Sequence, residues 1–340
     1  MKRIIALLLV ALLAFSVMAG CGGKKADEPA NTETQEPAAT EEQTPATEEP
    51  AQTEEPAEPD TAITVTDMTG RTITLDEPAT RVVALSAADC EVLFAIGAGD
   101  TLVGRGEYCD YPAQVLDVPS VQSGYDTNIE QIIALEPQVL LMSTMAQTEE
   151  QIKALEDAGI KVVVSDAQDI EGVYTAVNMV GTLMGKQAEA ENVVTNMKKA
   201  LAELGEKAAA APEQEKKPTV YFEVSPLEYG LWAAGGGTFM NEVAELLGME
   251  NVFADLPAWA EISEEQVIER NPDYIVTITM YFGEGPMPEE EIASRPGWEN
   301  VSAVANGKIL RMDNNELSRP TPRIVDGAQM LYDFVYGAEG

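Results

Sequence analysis

A stretch of twelve residues that occurs twice decides the fold of this chain. The first copy, at residues 130–141, reads EQIIALEPQVLL, and the second, at residues 265–276, reads EQVIERNPDYIV. Each copy predicts a short helix that stops before its proline, followed by a buried apolar strand. A second pair of similar segments, 91–97 and 242–248, occurs in the same order. The repeat therefore predicts two lobes of similar architecture.

Two matched glutamates, Glu130 and Glu265, open the two copies of the repeat. A polar residue lies two positions before each, Asn128 in one copy and Ser263 in the other, and a glutamine follows each glutamate. This is the spacing of a capping box, which places both glutamates in a first helical turn, near the positive end of the helix dipole. One partner that contacts both lobes is one interpretation, and simple stabilisation of each helix is the other.

The N-terminus has the pattern of a secreted lipoprotein. A basic pair is followed by an apolar run over residues 4–17, and small residues precede Cys21. We expect residues 1–20 to be a signal peptide, because the apolar run is short for a membrane span. The segment resembles a bacterial lipobox, which implies that Cys21 carries a lipid. An ordinary secretory signal is the alternative.

A linker of biased composition follows the signal peptide. Residues 21–61 consist almost entirely of Glu, Pro, Thr, Ala and Gln, with no aromatic residue. Such a segment buries too little apolar surface to offset the entropy of ordering, so we expect it to be disordered and acidic. A lipid at its start would tether the folded part to the extracytoplasmic face of the cell membrane.

Charge and composition exclude several classes of function. The formal net charge is −37, which argues against nucleic acid as a partner because phosphate backbones require a basic surface. The sequence contains no histidine, so Ser-His-Asp and Cys-His catalysis are excluded in their usual forms. The commonest ligand of zinc and other transition metals is also missing. We therefore expect no enzyme and no protein-bound metal or cofactor, whereas a metal that is held by its own chelator needs no histidine from the protein.

The rest of the chain predicts two α/β lobes and a helical connection. Strand and helix patterns alternate over residues 62–170 and again over residues 212–340, which indicates parallel, doubly wound sheets. Residues 171–211 lack a strand pattern. A helix over residues 187–209 would be about 35 Å long and could form a rigid strut between the lobes.

Cys90 and Cys109 are the two cysteines that remain in the folded part. Outside the cell such a pair can persist as a disulfide. Two independent small buried residues are the other interpretation, and the sequence leaves both open.

Several short motifs behind the lipobox carry a family resemblance through their order. They are Asp67-Met68-Thr69-Gly70-Arg71, Val83-Ala84-Leu85-Ser86, Gly104-Arg105, Tyr108-Cys109-Asp110-Tyr111-Pro112, Asn128-Ile129-Glu130, the long helix, residues 263–272 and Arg319-Pro320-Thr321-Pro322-Arg323. Over nearly all of residues 62–336 the chain resembles the substrate-binding lipoproteins of ABC importers for iron–siderophore complexes and cobalamin. The resemblance implies two rigid Rossmann-like lobes joined by one helix, a ligand cleft between them and a monomeric protein. It also implies that Glu130 and Glu265 meet arginines on the permease subunits.

The ligand of such a fold is expected beyond the carboxyl ends of the parallel strands. The candidate ligand-binding residues, which follow strands or lie in loops, are Arg105, Tyr108, Thr144, Tyr229, Trp232, Trp259, Tyr281, Arg319 and Arg323. Arginine suits carboxylate, catecholate or hydroxamate oxygens, and aromatic side chains provide flat apolar walls. Surface ion pairs and core packing are the simpler interpretations of the same residues.

The expected function is capture of a metal chelate, first of all a ferric siderophore, and its delivery to an importer. Cobalamin or haem is the alternative ligand within the same class, and cobalamin would favour aromatic residues over arginines. The absence of histidine disfavours haem, although methionine or tyrosine could ligate its iron. A secreted enzyme or a surface adhesin is the more remote alternative.

Overall fold

Two β-sheets, one for each copy of the repeat, organise the folded part of the chain. The computed structural model describes residues 62–124, 126–144, 148–212, 216–281, 283, 285–312 and 315–337. The predicted signal peptide, the linker and Cys21 lie outside the described residues. The described residues belong to one compact unit that contains both sheets.

An N-terminal hairpin and a parallel five-stranded sheet form the first lobe. The hairpin consists of β1 (Ile63–Thr66) and β2 (Thr72–Leu75). The sheet strands are β3 (Val82–Ala84), β4 (Leu102–Gly106), β5 (Ser120–Val121), β6 (Val139–Met142) and β7 (Lys161–Val164). The helices are α1 (Ala87–Ala95), α2 (Ile129–Ala134) and α3 (Glu149–Asp157). The strands lie in the order β5-β4-β3-β6-β7, and all pairs are parallel, as predicted.

Two antiparallel strands distinguish the second sheet from the first. After the connecting helices α4 (Ile170–Leu183) and α5 (Gln187–Ala209), its strands are β8 (Thr219–Ser225), β9 (Leu231–Ala234), β10 (Glu250–Asn251), β11 (Trp259–Ile262), β12 (Tyr274–Thr277) and β13 (Ile309–Arg311). The helices are α6 (Phe239–Leu246), α7 (Glu264–Arg270), α8 (Pro288–Ser294), α9 (Ser302–Ala305) and α10 (Ile324–Tyr336). The order is β11-β9-β8-β12-β13, with β10 beside β8. The expected all-parallel sheet is therefore wrong for β9 and β11, which pair antiparallel.

The two copies of the repeat also share a pair of hydrogen bonds, made by the residue that follows each proline. Gln138, after the first proline, accepts hydrogen bonds from the backbone N–H of Thr80 (2.7 Å) and from its hydroxyl (3.2 Å). Asp273, after the second proline, accepts the same two bonds from Thr219, at 3.1 and 2.9 Å. In each lobe this pair fixes the start of the central strand β3 or β8 beside the repeat strand β6 or β12.

The capping boxes predicted for the two copies are only half alike. In α7, Ser263 accepts from the Gln266 N–H and Gln266 accepts from the Ser263 N–H (2.9 Å), so the box is complete. In α2, Asn128 accepts from the Gln131 N–H (3.0 Å), but the Gln131 amide donates to the Ser120 carbonyl instead (2.8 Å). The first copy thus uses its glutamine to hold β5.

The connecting helix α5 begins and ends where the sequence predicts, at Gln187 and Ala209. It packs against α4, α6 and α10. Leu201 and Leu204 of α5 belong to a core cluster that also contains Val82 of β3 and Val220 of β8. One continuous apolar core therefore runs from one lobe to the other through α5.

No helix among the described residues is both long and apolar enough to cross a membrane.

Candidate ligand-binding site

A cavity of about 690 Å³ lies between the two lobes. On the first lobe it is lined by Ser143 and Ser165, which directly follow β6 and β7, and by Ser86, which lies two residues after β3. On the second lobe Ser225, at the end of β8, and Ile278, after β12, line it. The carboxyl ends of the parallel strands of both sheets thus meet at this cavity, where ligands bind in open α/β folds.

The first-lobe wall of the cavity is polar. Ser86 caps α1 by accepting from the Asp89 N–H (3.1 Å), and its hydroxyl donates to the Asp89 carboxylate (2.7 Å). Asp166 and Gln168 continue the wall, with the Gln168 amide donating to Asp166 (3.3 Å). Hydroxyl, carboxylate and amide groups therefore face the ligand space from this side.

Asp89 lies directly behind this wall and is almost fully buried. Burial raises the pKa of its carboxyl to about 6, and the charge of Asp166 acts in the same direction, while hydrogen bonds from Ser86 and Ser165 oppose the shift. The group therefore exchanges its proton under mildly acidic conditions.

The second-lobe wall is aromatic. Trp232 lies on β9 and Trp259 on β11, and Phe239 and Met240 begin α6. The rings of Trp259 and Phe239 meet edge to face with centroids 5.7 Å apart. The Trp259 indole N–H donates to the side-chain oxygen of Gln168 across the cavity (2.8 Å). The two tryptophans thus offer apolar surfaces to a flat ligand, and the buried Phe239 packs against one of them.

Arg319 is the one cation among the described residues that line the cavity. Its guanidinium donates to Glu91 (2.9 Å), to Asp110 (2.7 Å) and to the Tyr108 carbonyl (3.1 Å). These three partners belong to the first lobe, whereas Arg319 precedes α10 of the second. The cation therefore joins the lobes, and two carboxylates already balance its charge.

Arg323 does not line the cavity but belongs to the same group of charged residues. It pairs with Glu316, comes within 3.8 Å of Glu91 and stacks over the Tyr111 ring at 3.9 Å. Burial raises the pKa of Glu91, while hydrogen bonds from Arg319 and Thr321 and the charges of both arginines oppose that shift. Arg323 thus serves the contact between the lobes at this position.

The structure brings together three of the nine predicted ligand-binding residues, namely Trp232, Trp259 and Arg319. The other six lie outside the cavity walls: Arg105, Tyr108, Thr144, Tyr229, Tyr281 and Arg323. Tyr108 and Tyr229 are 67% and 74% exposed. Thr144 donates its hydroxyl to Asp166, and Arg105 donates to the Gly106 carbonyl (3.1 Å).

Sequence reasoning missed the serine wall and the residues that begin α6. Ser86, Ser143 and Ser165 each follow a predicted strand directly, and that position was the signal that could have found them. Phe239 and Met240 carried no such signal, because an apolar pair at a helix start is typical of a core. Among the described residues, no group of three or more His, Cys, Asp or Glu side chains could hold a metal ion.

The two cysteines and the two glutamates lie elsewhere. Cys90 and Cys109 are buried free thiols, and both lie within 4 Å of the Ala84 carbonyl. The structure therefore has no disulfide between them. Glu130 and Glu265 are exposed in the first turns of α2 and α7. A hydrogen bond from Ser263 holds the pKa of Glu265 below its ordinary value.

Two α/β lobes, a connecting helix and a cleft lined by strand ends define a solute-binding protein. The family model of the periplasmic binding protein matches residues 82–316, and the chain belongs to that family. It is 31% identical over 277 residues to an uncharacterised ABC transporter substrate-binding lipoprotein of Bacillus subtilis (81% of this chain, 85% of the relative). It is also 28% identical over 254 residues to the vitamin B12-binding protein of Salmonella paratyphi A (74% and 89%).

A solved structure extends the same comparison. An ABC-type Fe³⁺-hydroxamate transport protein from Saccharomonospora viridis matches with a TM-score of 0.68 and 26% identity, covering 80% of this chain and 98% of that one. The predicted fold class and family are confirmed, and the protein is a substrate-binding protein of the ABC-importer type.

Proposed function

We propose that this protein captures a metal chelate of low net charge, a corrinoid of the cobalamin type, and delivers it to an ABC importer. The observation that carries the proposal is the make-up of the cavity. Its described lining residues set two tryptophans against a serine-rich wall and one arginine that two carboxylates already pair with. A broad macrocycle could stack on Trp232 and Trp259, while its polar edge accepts and donates hydrogen bonds at the serines.

The balance of charge at the cavity argues against a strongly anionic ligand. Glu91 and Asp110 both contact Arg319, and Asp166 adds another carboxylate to the lining. An anionic chelate would have to compete with these groups for one guanidinium. The sequence favoured a ferric siderophore because three arginines were expected to bind it. Of these three, Arg319 alone lines the cavity.

A ferric hydroxamate is the second candidate. Complexes of this kind can be uncharged, and their oxygens suit the Arg319 guanidinium and the hydroxyls of Ser86, Ser143 and Ser165. The structural relative from Saccharomonospora viridis is described as part of an Fe³⁺-hydroxamate transport system, which supports this candidate.

Calorimetric titration with a panel of chelates tests the proposal. The panel consists of cyanocobalamin, an uncharged ferric hydroxamate, a ferric tricatecholate and haemin. We expect cyanocobalamin to bind most tightly and the trianionic tricatecholate most weakly. A tricatecholate that binds more tightly than both uncharged chelates would contradict the proposal.

We also propose that the protein is held at the membrane by a lipid on Cys21 and docks on the permease through Glu130 and Glu265. Both glutamates are exposed, occupy equivalent helices and lie outside the ligand cavity. Charged residues at such an interface chiefly set the register and the rate of encounter. The protein would then act as a monomeric binding protein without enzymatic activity.

A further inference from the structure

A cluster of five charged side chains joins the two lobes at one end of the cavity. The ion pairs connect Arg319 with Glu91 and Asp110, and Arg323 with Glu91 and Glu316. Two cations thus face three carboxylates, which leaves the cluster one negative charge in excess. Because Arg319 also lines the cavity, the cluster with this excess charge adjoins the cavity.

The three carboxylates differ in how readily they could leave the cluster. The side chains of Glu91 and Glu316 are only 2% and 16% exposed, whereas that of Asp110 is 50% exposed. Glu91 lies between both arginines and would be costly to strand without a partner. Within the part of the chain that the structure describes, Asp110 pairs with Arg319 and with no other charged residue, and half of its side chain is exposed, so it is the adjustable member of the cluster.

We propose that Asp110 sets the charge selectivity of the cavity by occupying the Arg319 guanidinium that an anionic chelate would need. The inference rests on the proposed function, since it explains why the cleft takes chelates of low charge. Without Asp110 the cluster is electrically balanced, and Arg319 keeps Glu91 as its buried partner. Arg319, which lines the cavity, then keeps its charge with one carboxylate partner fewer, and this favours a ligand with negative oxygens.

Asp110→Asn tests the inference, with Glu107→Gln as the matched control. Glu107 is exposed, lies three residues away, and its side chain makes no hydrogen bond or ion pair among the described contacts of Arg319. Both variants remove one negative charge from the same loop. Affinities for a ferric tricatecholate and for cyanocobalamin are measured by calorimetry in low and moderate salt.

We expect Asp110→Asn to raise the ratio of tricatecholate to cyanocobalamin affinity about tenfold, as a charge at this range in partly exposed surroundings would. The gain should shrink at higher salt, because screening weakens a charge effect but leaves a purely structural change untouched. Adding Arg319→Gln to Asp110→Asn should remove the gain. If Asp110→Asn folds poorly, Asp110→Ser is subjected to the same comparison.

The result that overturns the inference is an affinity ratio in Asp110→Asn equal to that in Glu107→Gln, or no measurable tricatecholate binding by the Asp110 variants. A wild-type protein that fails to bind cyanocobalamin would refute the proposed ligand instead. In that case tricatecholate binding by Asp110→Asn, compared with Glu107→Gln, still decides the role of Asp110.

Discussion

At the scale of single residues, the buried carboxyl of Asp89 links the cavity wall to protein stability. Its pKa in the folded protein is about 6, above the ordinary value of 3.8, so the folded state binds this proton more tightly than the unfolded state does. The stabilisation that results is fully present below pH 3.8, declines between pH 3.8 and 6, and is lost above that.

Asp89→Asn should therefore remove a pH dependence from the free energy of unfolding. Relative to the wild type, the variant should gain about 3 kcal/mol on going from below pH 3.8 to pH 7, as a shift of about two pKa units implies. Urea unfolding across this range measures the difference, with the exposed Asp117→Asn as a control. Parallel pH profiles for Asp89→Asn and the wild type would rule the explanation out.

Trp232 is the residue through which the aromatic wall can be tested. It lines the cavity and is 38% exposed, whereas Tyr229, three residues earlier, is 74% exposed and lies outside the walls. We expect Trp232→Ala to weaken cyanocobalamin binding by about 1–3 kcal/mol, because an aromatic stacking surface is lost. Tyr229→Ala should leave the affinity nearly unchanged. Equal losses in the two variants would show that the cavity is not the binding site.

At the scale of elements, the helical hairpin of α4 and α5 depends on one glycine. A Cβ built on Gly181 of α4 would lie 2.4 Å from the Ala190 Cβ of α5. On Gly205 of α5 a Cβ would meet its nearest neighbour, the Leu246 carbonyl, at 3.4 Å, an ordinary contact. The two glycines, both inside helices, thus form a matched pair.

Gly181→Ala should destabilise the protein by about 1–3 kcal/mol, because the added methyl group forces the helices apart. Gly205→Ala should instead be neutral or stabilise it by up to about 1 kcal/mol, since alanine favours the helix. Thermal unfolding of both variants distinguishes the two effects. The packing argument fails if Gly181→Ala is as stable as the wild type.

The elements also show where prediction from sequence succeeded and where it stopped. Both ends of helix α5 were predicted correctly. The run lies between Gly185 and Pro212, which both favour turns, and its composition favours a helix over a strand. β9 and β11 were missed because each has only four residues and neither shows a clear alternation of apolar and polar residues. The Arg319 ion pairs join residues more than 200 positions apart, and no local pattern reports such contacts.

At the scale of the whole molecule, the equivalent helices α2 and α7 are the surfaces expected to dock on the permease. Glu130→Ala combined with Glu265→Ala should abolish uptake while ligand affinity and folding stay nearly intact, since both side chains are exposed and outside the cavity. A double variant of two other exposed glutamates, Glu191→Ala with Glu299→Ala, removes the same charge and should transport normally. Normal uptake by the first double variant would leave helix stabilisation as the role of the glutamates.

The membrane tether belongs to the same scale. Replacing Cys21 with serine should release the protein into the medium, because the lipid would then have no attachment site. Fractionation of cells that express each form measures the release. Unchanged membrane association of the Cys21→Ser variant would refute the lipid anchor.

The most direct test of the cleft as a corrinoid site is a crystal structure of the protein grown with cyanocobalamin. The cobalt scatters anomalously, so its position can be found independently of the fold. We predict one cobalt peak between the lobes, with the corrin ring against Trp232 and Trp259 and its polar edge towards Ser86 and Ser165. A cobalt peak elsewhere on the molecule, or none at saturating cyanocobalamin, would contradict the account.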